Sequence, residues 1–203
     1  QLFKTEMAGP MKDAKLTPRI AETARGLWVV YFWFCLACFG AYRWAGMSWA
    51  DAFMHMCSTM GLAGFSSHDA SFGYWNSPLI EAVAITFMML AGVSFAIYFV
   101  AWRQRSLRVL WTNIEVRAFV AVVVGAVLLI SAYIRVDGHY ASYAEALRHT
   151  AFHVVSLATT TGYASQDYAQ WPAFAPLLMI LLGCFATCAG STGGGIKMVR
   201  MLL

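Results

Sequence analysis

The chain has 203 residues, 60% of them hydrophobic and 12% charged, with a formal net charge of +4. Its mean hydropathy is positive. A soluble domain carries roughly 25% charged residues, so this composition excludes a soluble globular protein and predicts an integral membrane protein whose surroundings are lipid, with no nucleic-acid partner.

The first 25 residues are polar and mixed in charge, with no initiator Met. They read neither as a signal peptide nor as a natural start, and a truncated chain is the expectation. They are expected to form a cytosolic segment, with a helix over 12–25 that uses Thr17 as N-cap and Pro18 in its first turn. Four apolar stretches follow, 26–45, 78–102, 116–134 and 172–190. Each is long enough to cross a hydrocarbon core of roughly 30 Å, which takes about 20 helical residues. Two shorter helical stretches, 49–59 and 142–157, are too short or too polar to cross and read as helices that enter the membrane and stop.

GLAGFSSHD (61–69) and TTTGYASQD (159–167) lie 98 residues apart. The same offset pairs His55 with His153, Ser58 with Ser156, Phe65 with Tyr163 and Pro78 with Pro176, without a gap. The chain is a duplicated unit. The predicted fold is an all-α membrane protein of two tandem repeats, 26–108 and 109–203, each a membrane helix, a re-entrant pore helix with its loop, and a second membrane helix. The last helix of the second repeat is expected to be broken.

With the N-terminus inside, eleven of the 14 cations fall on the inner side, leaving Arg43, Arg135 and Arg148 outside. Asp51, Asp69, Glu81, Asp137, Glu145 and Asp167 oppose those three. An acidic vestibule would capture cations, and solvated loop charge would give the same count. The five cysteines sit in apolar surroundings. Cys35 and Cys38 have CxxC spacing but no basic neighbour and no second pair, and read as packing residues.

Non-helical backbone at membrane depth survives only where protein buries it or water faces it. An ion entering there needs its hydration shell replaced, and backbone carbonyls do this without burying a net charge. Glycine supplies the positive φ that aligns successive carbonyls, and threonine hydroxyls add oxygens. Thr159, Thr160, Thr161 and Gly162 fit that need, while Gly61, Leu62, Ala63 and Gly64 offer main-chain oxygens only. Either turn alone could be a tight interhelical connection.

The stretch CAGSTGGGIKMVR (188–200) cannot remain a stable helix, at roughly 1 kcal/mol per glycine relative to alanine. It is not a phosphate-binding loop, because Ile196 separates the closing glycine from Lys197 and Met198 follows. The equivalent of its start in the first copy, Ala91-Gly92, runs on into helix-forming residues. A single broken helix in a duplicated chain suggests a gate.

KLTPRIAETARGLW, LAGFSSHD, TTTGYAS and above all CAGSTGGGIKMVR resemble the TrkH/KtrB/HKT superfamily of potassium transporters. The resemblance covers the whole chain. It implies four such repeats around one pore, of which this chain is similar to the second and third, so that the first and fourth repeats are its missing partners. It implies potassium as the transported ion, with no organic cofactor and no chemical catalysis. A second copy placed by a two-fold axis, a homodimer, could instead complete the ring; the resemblance implies the bacterial cytoplasmic (inner) membrane and a cytosolic nucleotide-binding regulatory subunit of the TrkA type.

Residue by residue, the resemblance puts the filter at Gly61, Leu62, Ala63 and Gly64, and at Thr160, Thr161, Gly162 and Tyr163. Potassium would sit against Ala63, Gly64, Thr161 and Gly162. The gating loop would hold Ala189, Gly190, Ser191, Thr192, Gly193, Gly194, Gly195 and Lys197. Tyr163 and Ala63 depart from positions that are often Phe and Gly in the family.

His55 and His153 are expected to pack or hydrogen-bond behind the filter. Glu81 is expected at the interface, where it could attract cations. Lys197 reads either as an inner-interface anchor or as an electrostatic element of the gate. From a different class of function, a non-conducting membrane structural or assembly module would use the glycine turns for packing alone. Ion flux separates the two. A membrane enzyme lacks a nucleophile arrangement or paired carboxylates within one span.

Overall fold

The computed structural model describes residues 20–202, side chains from Glu22 onward. The expected helix start at Thr17 and Pro18 lies outside the described residues. Helix α1 (Ile20–Trp44) runs unbroken through the expected start of the first span, and α2 (Trp49–Met60) follows. The chain next forms a 3-10 turn (Ser71–Tyr74), α3 (Pro78–Ala91), α4 (Phe95–Gln104) and the short α5 (Arg108–Thr112). Then come α6 (Ile114–Val136), α7 (Tyr143–Ala158), a 3-10 turn (Tyr168–Gln170), α8 (Phe174–Gly183) and α9 (Met198–Leu202). No strand occurs among the described residues.

Four of the helix starts have a local cause in sequence. Ser48 caps α2 by accepting from the Asp51 amide, and Ser142 caps α7 by accepting from the Ala144 amide. Asn113 caps α6 by accepting from the amides of Glu115 and Val116. Pro78 sits in the first turn of α3, where its missing N–H costs nothing.

Among the described residues, α1 and α6 are long and apolar enough to cross a membrane. Their outward faces carry Phe32, Trp33 and Leu36 on α1, and Leu128 and Leu129 on α6. Exposed apolar faces of this extent suit lipid or further apolar helices. The inward faces pack α1 along α2 and α6 along α7, with α3 crossing to α7. The centre is aromatic: Phe72 stacks at a tilt on both Phe152 and Tyr163.

Two expectations are corrected here. The second span is not one helix over 78–102. It breaks after Ala91, and α3 and α4 meet at 85°, so the helix break is not confined to one copy. The Gly92 carbonyl, freed by the break, accepts from the Cys188 amide at 3.0 Å, and the Phe95 amide donates to the Gly190 carbonyl at 3.2 Å. The two broken segments satisfy each other's backbone, which neither helix pattern alone could reveal. The last span also ends earlier than expected, at Gly183 rather than Gly190. A side chain at Gly183 would press on the Leu157 carbonyl oxygen, so glycine there lets α8 approach the end of α7.

Candidate functional site

The two Gly-aromatic turns leave their pore helices in the same backbone conformation. Gly61 and Thr159 close α2 and α7 in the right-handed region at φ −82° and −83°. Leu62 and Thr160 then turn left-handed at φ 50° and 63°, and Gly64 and Gly162 do so at 76° and 87°. The hydrogen bonds repeat as well. The amides of Gly61, Leu62 and Ala63 donate to the carbonyls of Cys57, Thr59 and Ser58. Those of Thr159, Thr160 and Thr161 donate to Val155, Leu157 and Ser156, each 98 residues on. Left-handed backbone at two non-glycine residues costs roughly 1–2 kcal/mol each, and it recurs at matched positions. Alternating handedness flips successive peptide planes, which brings carbonyls onto a common side.

The turns are adjacent in space. An added Cβ on Gly64 would overlap the Thr161 carbonyl oxygen, whereas one on Gly162 meets no described atom within 4 Å. Thr161 shares a 2.7 Å hydrogen bond between its Oγ1 and that of Thr159, and Ser156 Oγ donates to the Tyr163 carbonyl at 2.8 Å. The aromatic positions differ sharply. Tyr163 is 1% exposed, with its hydroxyl 3.1 Å from Thr59 Oγ1 on the other copy's pore helix, whereas Phe65 is 78% exposed.

His55 is buried behind the first turn, its Nδ1 2.9 Å from the Asp51 carbonyl and its Nε2 3.0 Å from Ser66 Oγ. His153 is buried with Nε2 3.3 Å from Ser165 Oγ. Both support the turns by packing and hydrogen bonding, as expected. At the N-terminal end of α2, Asp51 accepts from Ser67 Oγ and Ser48 Oγ, both at 2.7 Å. These bonds hold its carboxyl below the ordinary range.

The glycine-rich segment lies against the start of both turns. Thr192 Oγ1 donates to the Met60 carbonyl at 3.0 Å, and the Gly194 amide donates to Thr160 Oγ1 at 2.8 Å. Thr187 Oγ1 donates to the Gly194 carbonyl at 2.8 Å, and Lys197 Nζ donates to the Gly193 carbonyl. Lys197 is therefore folded back on the loop rather than extended to the surface. Ala189, at the other end, donates its amide to Glu115 Oε1 at 2.7 Å, and the Val199 amide reaches the same oxygen at 3.2 Å.

Sequence reasoning did not single out Glu115. It looks like an ordinary acid in the first turn of α6, and the only available signal was an ionisable group at a span end. Glu81 also differs from expectation. It is 1% exposed and takes a two-pronged bond from Arg148 Nε and Nη2, both at 2.8 Å, so it is neutralised between α3 and α7 rather than free to attract cations. Among the described residues, no group of three or more His, Cys, Asp or Glu could hold a metal.

The chain matches the TrkH family model, described as a cation transport protein, over residues 1–203. The chain belongs to the TrkH family. It is 42% identical over 202 residues to the Trk system potassium uptake protein TrkH of Halomonas elongata, covering 100% of this chain and 42% of that one. It is 40% identical over 203 residues to the protein of that name from Escherichia coli, again covering 100% and 42%. The crystal structure of the potassium transporter TrkH from Vibrio parahaemolyticus superposes with a TM-score of 0.88 at 37% identity, covering 92% of this chain and 40% of that chain. This chain thus spans about two fifths of the length of the TrkH relatives it matches. The expected all-helical membrane fold and family stand, and these relatives are named as transport proteins, not enzymes.

Proposed function

We propose that this chain forms two adjacent sides of a potassium-conducting pore. The carbonyls of Gly61, Leu62, Ala63 and Gly64 and of Thr160, Thr161 and Gly162 line the filter, closed by Tyr163 whose own carbonyl is held from behind by Ser156 Oγ, and the ion sits against Ala63, Gly64, Thr161 and Gly162. The observation that carries this reading is the matched left-handed backbone at Leu62 and Thr160 and at Gly64 and Gly162, 98 residues apart. The names of the relatives support potassium as the cargo. The segment holding Ala189, Gly190, Ser191, Thr192, Gly193, Gly194, Gly195 and Lys197 acts as the gate beneath the filter. Its hydrogen bonds to Met60 and Thr160 support that role.

Two further sides complete the ring. The handedness of the contact between the copies supports one neighbour on each flank. Tyr163 inserts toward the preceding pore helix while Phe65 is exposed, and Gly64 abuts the following turn while Gly162 is open. The flanking units are a first and a fourth repeat of the natural protein. A homodimer of that protein in the cytoplasmic (inner) membrane, with a cytosolic nucleotide-binding subunit of the TrkA type, completes the proposal.

The test is potassium and sodium flux into liposomes holding the natural protein that contains this chain, wild type beside Gly162→Ser. Selective potassium uptake that loses its preference in the variant supports the filter. Absence of flux with the protein folded favours a structural module, and unchanged selectivity in Gly162→Ser removes the filter assignment.

A further inference from the structure

We propose that the inner end of the first copy binds an anionic phospholipid, with an acyl chain in a cleft between α1 and the α4–α5 elbow and the headgroup phosphate at Arg105. The cleft has a volume of about 580 Å³, with walls that include Val30, Trp33 and Phe34 of α1, Tyr98 of α4, Leu110 of α5, and Arg105 at the elbow. That volume is within the roughly 300–1,000 Å³ of small-ligand sites. Its walls are apolar apart from the elbow, which suits hydrocarbon and nothing that brings its own polar groups deep inside.

The elbow places the charge at one end. Arg105 closes α4 in a left-handed conformation at φ 48°, and its amide and that of Ser106 donate back to Trp102 and Ala101, both at 3.1 Å. The chain therefore leaves the helix at a fixed point, with Arg105 on the lining of the cleft. Arg103 and Arg108 flank it in sequence. Exposed Trp28, Trp102 and Trp111 surround the same inner end, the level at which indole rings meet headgroups. The apolar slot is thus at acyl depth and the guanidinium at phosphate depth on the cation-rich side.

A second protein helix would fill the slot but would have to place an acid of its own against the guanidinium. An anionic phospholipid matches both ends, because guanidinium pairs with phosphate through two parallel hydrogen bonds and a negative leaflet concentrates such lipids near basic residues. The inference does not depend on the pore reading, since none of these residues belongs to the turns or the glycine-rich loop.

The experiment uses the natural protein containing this chain, purified in detergent and titrated with phosphatidylglycerol or phosphatidylcholine, with retained lipid counted by native mass spectrometry. Wild type should retain phosphatidylglycerol in preference. Arg105→Gln should lower that retention about fivefold and lower phosphatidylcholine, whose choline offsets its phosphate, by less, and Arg105→Lys should keep most of the preference. Ala37→Trp, at an exposed small residue on the cleft wall, should lower retention of both lipids. Parity between the two lipids in wild type, an unchanged preference in Arg105→Gln, or full retention in Ala37→Trp would overturn the site. So would displacement of the lipid by inorganic phosphate alone, or a crosslink from Leu110→Cys to another protein segment lying across the cleft.

Discussion

Gly64 and Thr161 belong to different copies of the duplicated unit, yet the Cα of one faces the carbonyl oxygen of the other so closely that no side chain fits between them. Gly162, its equivalent in the second copy, has the same left-handed backbone without that neighbour. The two glycines therefore carry different constraints, one conformational and steric, the other conformational only.

Gly162→Ala should cost about 1–2 kcal/mol of stability from left-handed strain, whereas Gly64→Ala should cost clearly more because the Thr161 carbonyl must also move. Thermal melts of the two variants in detergent check the order. Equal losses would mean that the Gly64 contact relaxes freely.

Thr160→Val should free the Gly194 amide, which now donates to the threonine hydroxyl at 2.8 Å. The bond is exposed, so water can take the amide and the loss is about 0.5–1.5 kcal/mol at most. If the loop obstructs the pore, potassium flux rises while the preference over sodium persists, because no filter carbonyl is removed. Flux and selectivity measured in the same liposomes separate this from damage to the filter.

Glu115→Leu removes the oxygen that both Ala189 and Val199 amides reach, and about 1–3 kcal/mol per stranded donor is expected. Glu115→Gln keeps an amide oxygen at that position and should recover most of the loss. Comparable loss in both variants would show that charge, rather than an acceptor at that point, is what α6 supplies.

Arg148→Met should destabilise by about 3–5 kcal/mol, since it leaves a nearly buried Glu81 carboxylate unpaired. The double replacement Glu81→Leu with Arg148→Met should be milder than either single change. A double-mutant cycle on melting temperature tests this. Simple additivity would place the two residues outside one unit.

Acidification should loosen the N-terminal end of α2. The Asp51 pKa is lowered in the folded chain by hydrogen bonds from Ser67 and Ser48. Its contribution is therefore complete above the ordinary aspartate value of about 4, and it is lost as pH falls through the lower folded value. Amide exchange across 49–55 in Asp51→Asn should be faster than wild type at neutral pH and converge with it in strong acid.

Much of this architecture could be read from residue order. The 98-residue offset located both turns, and it holds down to individual backbone hydrogen bonds at Gly61 and Thr159. The apolar lengths of α1 and α6 were equally visible. What escaped was decided by contacts between copies. Val93 and Ser94 look helix-compatible in isolation, and α3 ends before them because the segment around Cys188 and Gly190 takes up the freed backbone groups. Glu81 and Arg148 are 67 residues apart, and nothing in either neighbourhood announces the other. Glu115 resembles any helix-start acid until the fold brings Ala189 and Val199 to it.

The paired bonds from Cys188 to Gly92 and from Phe95 to Gly190 make the two breaks one mechanical joint. A loop that swings away from the turns pulls on the start of α4, and a tilt of α4 pushes on the loop. A displacement at either break would therefore be felt at the other and, through α4, at the elbow at Arg105. The duplicated halves are no longer interchangeable parts, and a substitution at either break will be tolerated only as far as its counterpart can follow.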